Sequence, residues 1–269
     1  MVNLNLKDVS FQNVPFSLIE KEDSLAQMGL IVLETDLTIE SEIHHFLSQD
    51  KVRPKSISLL HTRIPCDDKV TTDNLAQMEE KFETALKLFP KNHKFDVIGY
   101  GCTSASMVIG EKKVEKIVKS HVKSKKVTTP MASVKSAFKL LNVKRIGYLA
   151  PYISEIAQNM CCDLNENGFE IVVSATFGED KDSIVGNISP QSILDAIEYI
   201  VSQQNDIEAV FVACTSLKCA PIISFAEKKF KIPVISSNSA LAWNMARLGK
   251  VEILEKGKGS LFNEKNVNF

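Results

Sequence analysis

The sequence predicts an α/β fold of two pseudo-symmetric lobes, each a parallel sheet flanked by helices, with the active site in the cleft between them. Three observations predict it. Short apolar runs alternate with segments of helical spacing along the chain, as in βα units that build a parallel sheet. The tripeptide Cys-Thr-Ser occurs twice, as Cys102-Thr103-Ser104 and Cys214-Thr215-Ser216, each directly after an apolar run. The copies lie 112 residues apart (102 to 214), about the length of a small domain. Two further blocks repeat in the same order: residues 28–32 match 146–150 at an offset of 118, and residues 128–132 match 236–240 at an offset of 108. Three blocks in order, with offsets that drift by a few residues, describe one duplicated unit with loop insertions and deletions.

Each element follows from its local pattern. Residues 27–33 form an apolar strand, and residues 38–47 carry helical spacing. Residues 56–60 read as a second strand. Residues 72–88 read as a helix behind a Thr71-Thr72-Asp73 cap signal. The strand ending at Cys102 is followed by a predicted helix over 104–119. Residues 126–128 are short and extended, and Pro130 opens a helix through Leu141, proline being suited to a first helical position. Residues 145–150 form the next strand, and residues 208–213 the one that delivers Cys214. In a duplicated α/β chain the ligand belongs at the carboxyl ends of the strands, where both tripeptides sit.

Composition excludes several classes of function. Thirty-two basic against thirty-three acidic side chains give a net charge of −1, so no overall field draws nucleic acid or an anionic membrane. The Lys-rich stretch 111–126 carries no interleaved aromatics and reads as an exposed face. No apolar run is long enough to span a bilayer, and residues 1–29 lack a signal-peptide pattern, so the chain is expected in the cytoplasm. There its six cysteines would stay reduced. None forms Cys-x-x-Cys or has a His at zinc-ligand spacing, so no metal is expected.

A Cys at a strand end, followed by Thr-Ser opening a helix, has two chemical advantages. The positive helix terminus lowers the thiol pKa. The hydroxyls and free N–H groups of the first turn can hold a carboxylate or enolate oxygen. A buried structural Cys beside an ordinary cap pair would look the same. The duplication favours function for Cys102 and Cys214.

These residues carry a family resemblance. Gly99-Tyr100-Gly101-Cys102-Thr103-Ser104, Ala213-Cys214-Thr215-Ser216, Pro151-Tyr152 and the block from Ser237 to Trp243 resemble the aspartate/glutamate racemase superfamily, in its maleate isomerase and arylmalonate decarboxylase branch. The block from Leu33 to Glu40, Arg63-Ile64-Pro65 and Ile188-Ser189-Pro190 look most like the ectoine-utilization proteins of that branch. The resemblance runs from about Met28 to Gly249. It implies two lobes that exchange their last βα unit, with residues 1–125 plus 233–269 in one and 126–232 in the other. It also implies no cofactor, and a thiol on each face of a small flat intermediate. The decarboxylases of the branch keep only the second Cys, so the presence of both argues against simple decarboxylation.

The same resemblance places Thr103, Ser104 and Thr215 in carboxylate-binding turns, and Tyr152 with its hydroxyl on the substrate carboxylate. Asp36 departs from the Asn of maleate isomerases, because an ionised Asp cannot donate a hydrogen bond. It would bind a cationic or amide group, tune the Cys102 proton, or stand solvated in a loop. Arg63 follows a strand and is either a bidentate carboxylate contact or a surface arginine. Cys66, Cys161, Cys162 and Cys219 read as structural, and His44 and His45, with Glu40 and Glu42, as a solvated face.

The expected function is a cofactor-independent isomerase or racemase of a small carboxylate, with Cys102 and Cys214 as the acid/base or nucleophile pair. A lyase or hydrolase acting on a cyclic amidine acid, a decarboxylase, and a non-catalytic small-ligand sensor are the alternatives. The small carboxylate is the expected partner, together with further copies of the chain in a homo-oligomer.

Overall fold

A computed structural model describes residues 11–18, 25–48, 56–253 and 257–263. The first half contains β1 (Leu25–Leu33), α1 (Ile39–Leu47), β2 (Ser56–Ile64), α2 (Thr72–Leu86), β3 (Lys94–Gly101), α3 (Thr103–Ile109), α4 (Glu111–His121) and β4 (Lys123–Thr128). The second contains α5 (Pro130–Leu141), β5 (Arg145–Ala150), α6 (Ser154–Glu166), β6 (Glu170–Thr176), α7 (Asp182–Val185), α8 (Pro190–Gln203), β7 (Ala209–Val212), α9 (Ala220–Phe230), β8 (Val234–Ser236) and α10 (Ser237–Gly249). Among these residues no helix is long and apolar enough to cross a membrane.

Two four-stranded sheets result, ordered β2-β1-β3-β4 and β6-β5-β7-β8, and every pairing is parallel. The orders are identical once the second half is laid on the first. The repeated blocks fall on equivalent elements: β1 with β5, β3 with β7, and the β4–α5 junction with β8–α10. The interior strands are covered on both faces, which is why β3 and β7 read as continuous apolar runs. The edge strands β2, β4 and β6 are half-buried or exposed along most of their length.

The helices after β4 and β8 cross between lobes, but the strands do not. β4 pairs with β3, and β8 pairs with β7, so residues 126–128 and 234–236 stay in their own sheets rather than moving with a whole βα unit. Both are the last strands of their sheets, so a helix launched from either continues into the neighbouring lobe. Phe138 of α5 packs edge-on against Phe169 and Phe211 of the second lobe. α10 lies on the first sheet, where a Cβ at Gly99 would stand 2.6 Å from Met245 Sδ. Glycine is what lets this helix approach so closely. Residues 1–10 and 264–269, expected in the first lobe, lie outside the described residues.

The helix predicted over 104–119 is two helices. Gly110, with φ +89°, ends α3 and begins α4 at an angle that a side-chain-bearing residue rarely adopts. α5 has a conventional start: Thr129 Oγ1 accepts from the Ala132 N–H at 3.2 Å, and Pro130 takes a first-turn position where its missing N–H costs nothing. α10 opens with a reciprocal capping box between Ser236 and Ser239, and nearly all of it is buried.

Candidate active site

The first half of the site is the step from β3 into α3. Cys102 is the N-cap of α3, in extended conformation, and its Sγ accepts from the Ala105 N–H at 3.3 Å. Ser104 Oγ lies 3.7 Å from the same sulfur.

The second half looks alike in sequence and folds differently. After β7 the chain makes a turn, and no helix begins until Ala220. Cys214 therefore does not sit on a helix terminus. Its φ of +102° is a strained backbone state for a residue with a side chain, costing on the order of 1–3 kcal/mol. The start of α10 holds it there. Ser237 Oγ accepts from the Cys214 N–H at 3.1 Å, and Asn238 Nδ2 donates to the Thr215 carbonyl at 2.8 Å.

Each tripeptide threonine reaches across to the other half. Thr103 Oγ1 donates to Ser237 Oγ at 2.8 Å, the hydroxyl that holds Cys214. Thr215 Oγ1 donates at 3.3 Å to the carbonyl of Gly101, the residue before Cys102. The two turns are thus fixed relative to each other by a buried network, where every satisfied polar group strengthens the arrangement.

Between them lies a cleft of about 440 Å3, its open mouth included, at the carboxyl ends of the strands of both sheets. Cys102, Thr103, Ser104, Tyr152, Cys214 and Thr215 all line it. Both sulfurs are buried. Desolvation pushes the Cys102 thiol up to about 12, and the nearby Asp182 adds to the rise, against the lowering by the Ala105 N–H and Ser104. Cys214 is raised further, first by burial and then by Asp182. The lowering expected from two helix termini is overturned, because burial outweighs the single terminus present. Burial above all raises the Tyr152 pKa well above the ordinary tyrosine value, and the neighbouring Cys214 and Cys102 add to the rise.

The model of the arylmalonate decarboxylase family matches residues 67–262, nearly three quarters of the chain and both tripeptides. The chain belongs to this family. A maleate isomerase of Pseudomonas putida is 24% identical over 248 residues, covering 89% of this chain and 98% of that protein. The arylmalonate decarboxylase of Bordetella bronchiseptica is 22% identical over 51% of this chain and 58% of its own length. Among solved structures, the maleate isomerase Iso from Pseudomonas putida S16 superposes with a TM-score of 0.81, at 21% identity over 90% of this chain and 99% of that one. A cysteine-to-serine variant of the Nocardia farcinica maleate cis-trans isomerase, with a covalently bound succinylcysteine intermediate, also gives 0.81, at 23% identity over 89% and 99%. The family thus lies in the branch of the aspartate/glutamate racemase superfamily that the sequence resembles, and its members share the two-sheet α/β fold.

Two of the sequence-derived site residues fall outside the cleft wall. Arg63 Nη1 donates to the carbonyls of Leu33, Glu34 and Asp36 at 2.9, 3.2 and 3.0 Å, and Nη2 pairs with Glu40. Its guanidinium clamps the β1–α1 turn. Asp36 is 1% exposed, and its Oδ1 accepts from the N–H groups of Thr38 and Ile39 at 2.7 and 2.9 Å. It anchors the start of α1 behind Thr215. Burial raises its pKa, and its Oδ2 has no hydrogen-bond partner.

Three residues were not singled out as site components. Cys66, read as structural, lines the cleft beside Thr35, whose hydroxyl lies 3.3 Å from its sulfur. Glu42, assigned to a solvated face with His44 and His45, is buried. It accepts from the Ala220 N–H at 2.7 Å and from Asn238 Nδ2 at 3.3 Å, and desolvation raises its pKa to about 7. Its place at an inward position of α1 was readable from helical spacing; the histidines two and three residues on do face outward. Asp182 at the start of α7 lines the cleft and carries no motif that would have marked it.

Proposed function

We propose that the chain is a cofactor-independent isomerase of a small carboxylate, with Cys102 and Cys214 acting from opposite sides of a planar centre. The observation that carries this reading is that both thiols line one cleft on turns tied to each other through Ser237. In the racemase form, one thiolate removes the proton α to the carboxylate, and the C–H electron pair moves into an enediolate. The backbone N–H groups of Thr103, Ser104 and Thr215 and the hydroxyls of Ser104 and Tyr152 supply donors for its oxygens, the Thr103 and Thr215 hydroxyl protons being committed to Ser237 and Gly101. The other thiol then delivers its proton to the opposite face, so the centre is inverted and the two sulfurs exchange protonation states.

A second form shares the same groups, and the succinylcysteine intermediate of the Nocardia relative favours it. One thiolate adds to a carbon–carbon double bond, and the other thiol protonates the neighbouring carbon. Rotation about the new single bond and reversal of the two steps give the trans isomer. Either form needs a thiolate, whereas burial raises the pKa of both thiols. The substrate must therefore change their surroundings on binding.

Deuterium oxide tests the reading. With small α-substituted carboxylates, the racemase form washes solvent deuterium into the α-position, and the isomerase form turns maleate into fumarate. Cys102→Ser and Cys214→Ser should each abolish the reaction. A variant that keeps full turnover without either thiol would defeat the two-cysteine mechanism.

A further inference from the structure

Building on that reading of the cleft, we propose that Asp182 is the subsite for a positively charged nitrogen of the substrate. The substrate class is then an amino-bearing carboxylic acid rather than a nitrogen-free dicarboxylate.

The acid is built into the cleft wall. Asp182 is 6% exposed and lines the same space as Cys102 and Cys214. Its backbone N–H donates to the Asp68 carbonyl at 2.9 Å, and the next residue, Ser183, donates through N–H and Oγ to the Asp68 carboxylate at 2.7 and 2.8 Å. The start of α7 is thereby fixed against the loop after β2. Thr35 donates its hydroxyl to Asp182 Oδ2, and Ser216 donates to Oδ1 at 2.7 Å. Each oxygen receives one hydroxyl and keeps capacity for another donor.

No Lys, Arg or His among the described residues forms an ion pair with Asp182. Lys69, which lines the mouth of the cleft, is 3.4 Å from Asp180 instead. A buried carboxylate without a cation is costly, and a ligand that brings the cation removes that cost. A second carboxylate placed there would meet like charge at low dielectric. Ser216 of the second tripeptide is committed to Asp182, which leaves Ser104 and the backbone N–H groups that open α3 for the substrate's own carboxylate.

The same placement couples recognition to chemistry. Asp182 raises both thiols, after burial as the leading cause at each. Cys66, Tyr100 and Tyr152 also act on Cys102, and Asp36, Tyr152, Tyr148 and Cys219 on Cys214. A substrate cation against Asp182 cancels its field and eases thiolate formation only when the correct ligand is present.

Isothermal titration on the full chain carrying Cys102→Ser, which binds without turnover, tests this with matched probes: aspartate against succinate, and alanine against propionate. The expected result is that each amino acid binds at least about tenfold tighter than its deaminated partner. Adding Asp182→Asn should bring both ratios close to one. Succinate or propionate binding as tightly as its amino counterpart, saturable binding by none of the four, or a ratio that survives Asp182→Asn would overturn the proposal. Should Asp182→Asn fail to fold, the ratios in the parent protein decide. Independently of any ligand, alkylation of Cys102 and Cys214 by iodoacetamide at fixed pH should be faster in Asp182→Asn than in the unsubstituted chain, and an unchanged rate contradicts the placement. Turnover that survives loss of a thiol would sink the two-cysteine reading and leave these binding ratios intact, so the two failures are distinguishable.

Discussion

The hydroxyl of Thr103 donates to the hydroxyl of Ser237 at 2.8 Å across 134 residues of sequence, and Ser237 in turn accepts from the Cys214 N–H. One serine on the crossing helix α10 therefore fixes both half-sites. Ser237→Ala removes the acceptor for two buried donors, each left unsatisfied at a cost of about 1–3 kcal/mol. The expected outcome is a lower unfolding midpoint in urea and a fall in kcat of at least about tenfold, because the strained Cys214 turn loses its anchor. Ser237→Thr, which keeps the hydroxyl, should recover part of the activity.

Glu42 predicts a pH effect on stability. Its pKa is about 7 in the folded chain against an ordinary 4.5, with burial the leading cause. A carboxyl raised on folding contributes stability that is complete below the ordinary value and is lost as pH rises through the folded value. Stability should thus fall between about pH 4.5 and 7, by roughly 3 kcal/mol. Glu42→Gln should flatten that slope in urea titrations at stepped pH. An identical slope in the variant would contradict the assignment.

The thiols act in the opposite pH range. Cys102 ionises at about 12 when folded, against an ordinary 9, so its contribution is complete below pH 9 and lost between about 9 and 12. In the substrate-free chain, iodoacetamide should label Cys102 more slowly at pH 8 than it labels the exposed Cys162. Mass spectrometry of the labelled peptides reads the difference.

Arg63 separates fold support from ligand binding. Its three carbonyl contacts hold the turn that carries Asp36, away from the cleft wall. Arg63→Ala should lower the melting temperature, with a cost of about 1–3 kcal/mol. KM should change less than kcat, whereas a carboxylate-binding arginine would raise KM first.

Much of this architecture was legible because it rests on local pattern. The interior strands β3 and β7 announce themselves as apolar runs, and the repeated blocks carry the correspondence of the two halves. The crossing of α5 and α10 without their strands was not legible, since it depends on which sheet covers each helix. Nor was the difference between the two tripeptides: Cys102 caps a helix and Cys214 holds a positive φ, although the three residues are identical. The cause lies in α10, which reaches Cys214 from far along the chain. Asp182 was missed for the same reason, as its role depends on a loop that only the fold brings to the thiols.

The central claim, two thiols flanking one planar centre, is tested most directly by a crystal structure of the Cys102→Ser chain bound to the tightest of the four acids. The account predicts the ligand in the cleft, its carboxylate on the turns of Thr103 and Thr215, and its α-carbon between the side chains at positions 102 and 214. A ligand bound with both of these side chains on one face of its α-carbon, or held outside the cleft, would contradict it.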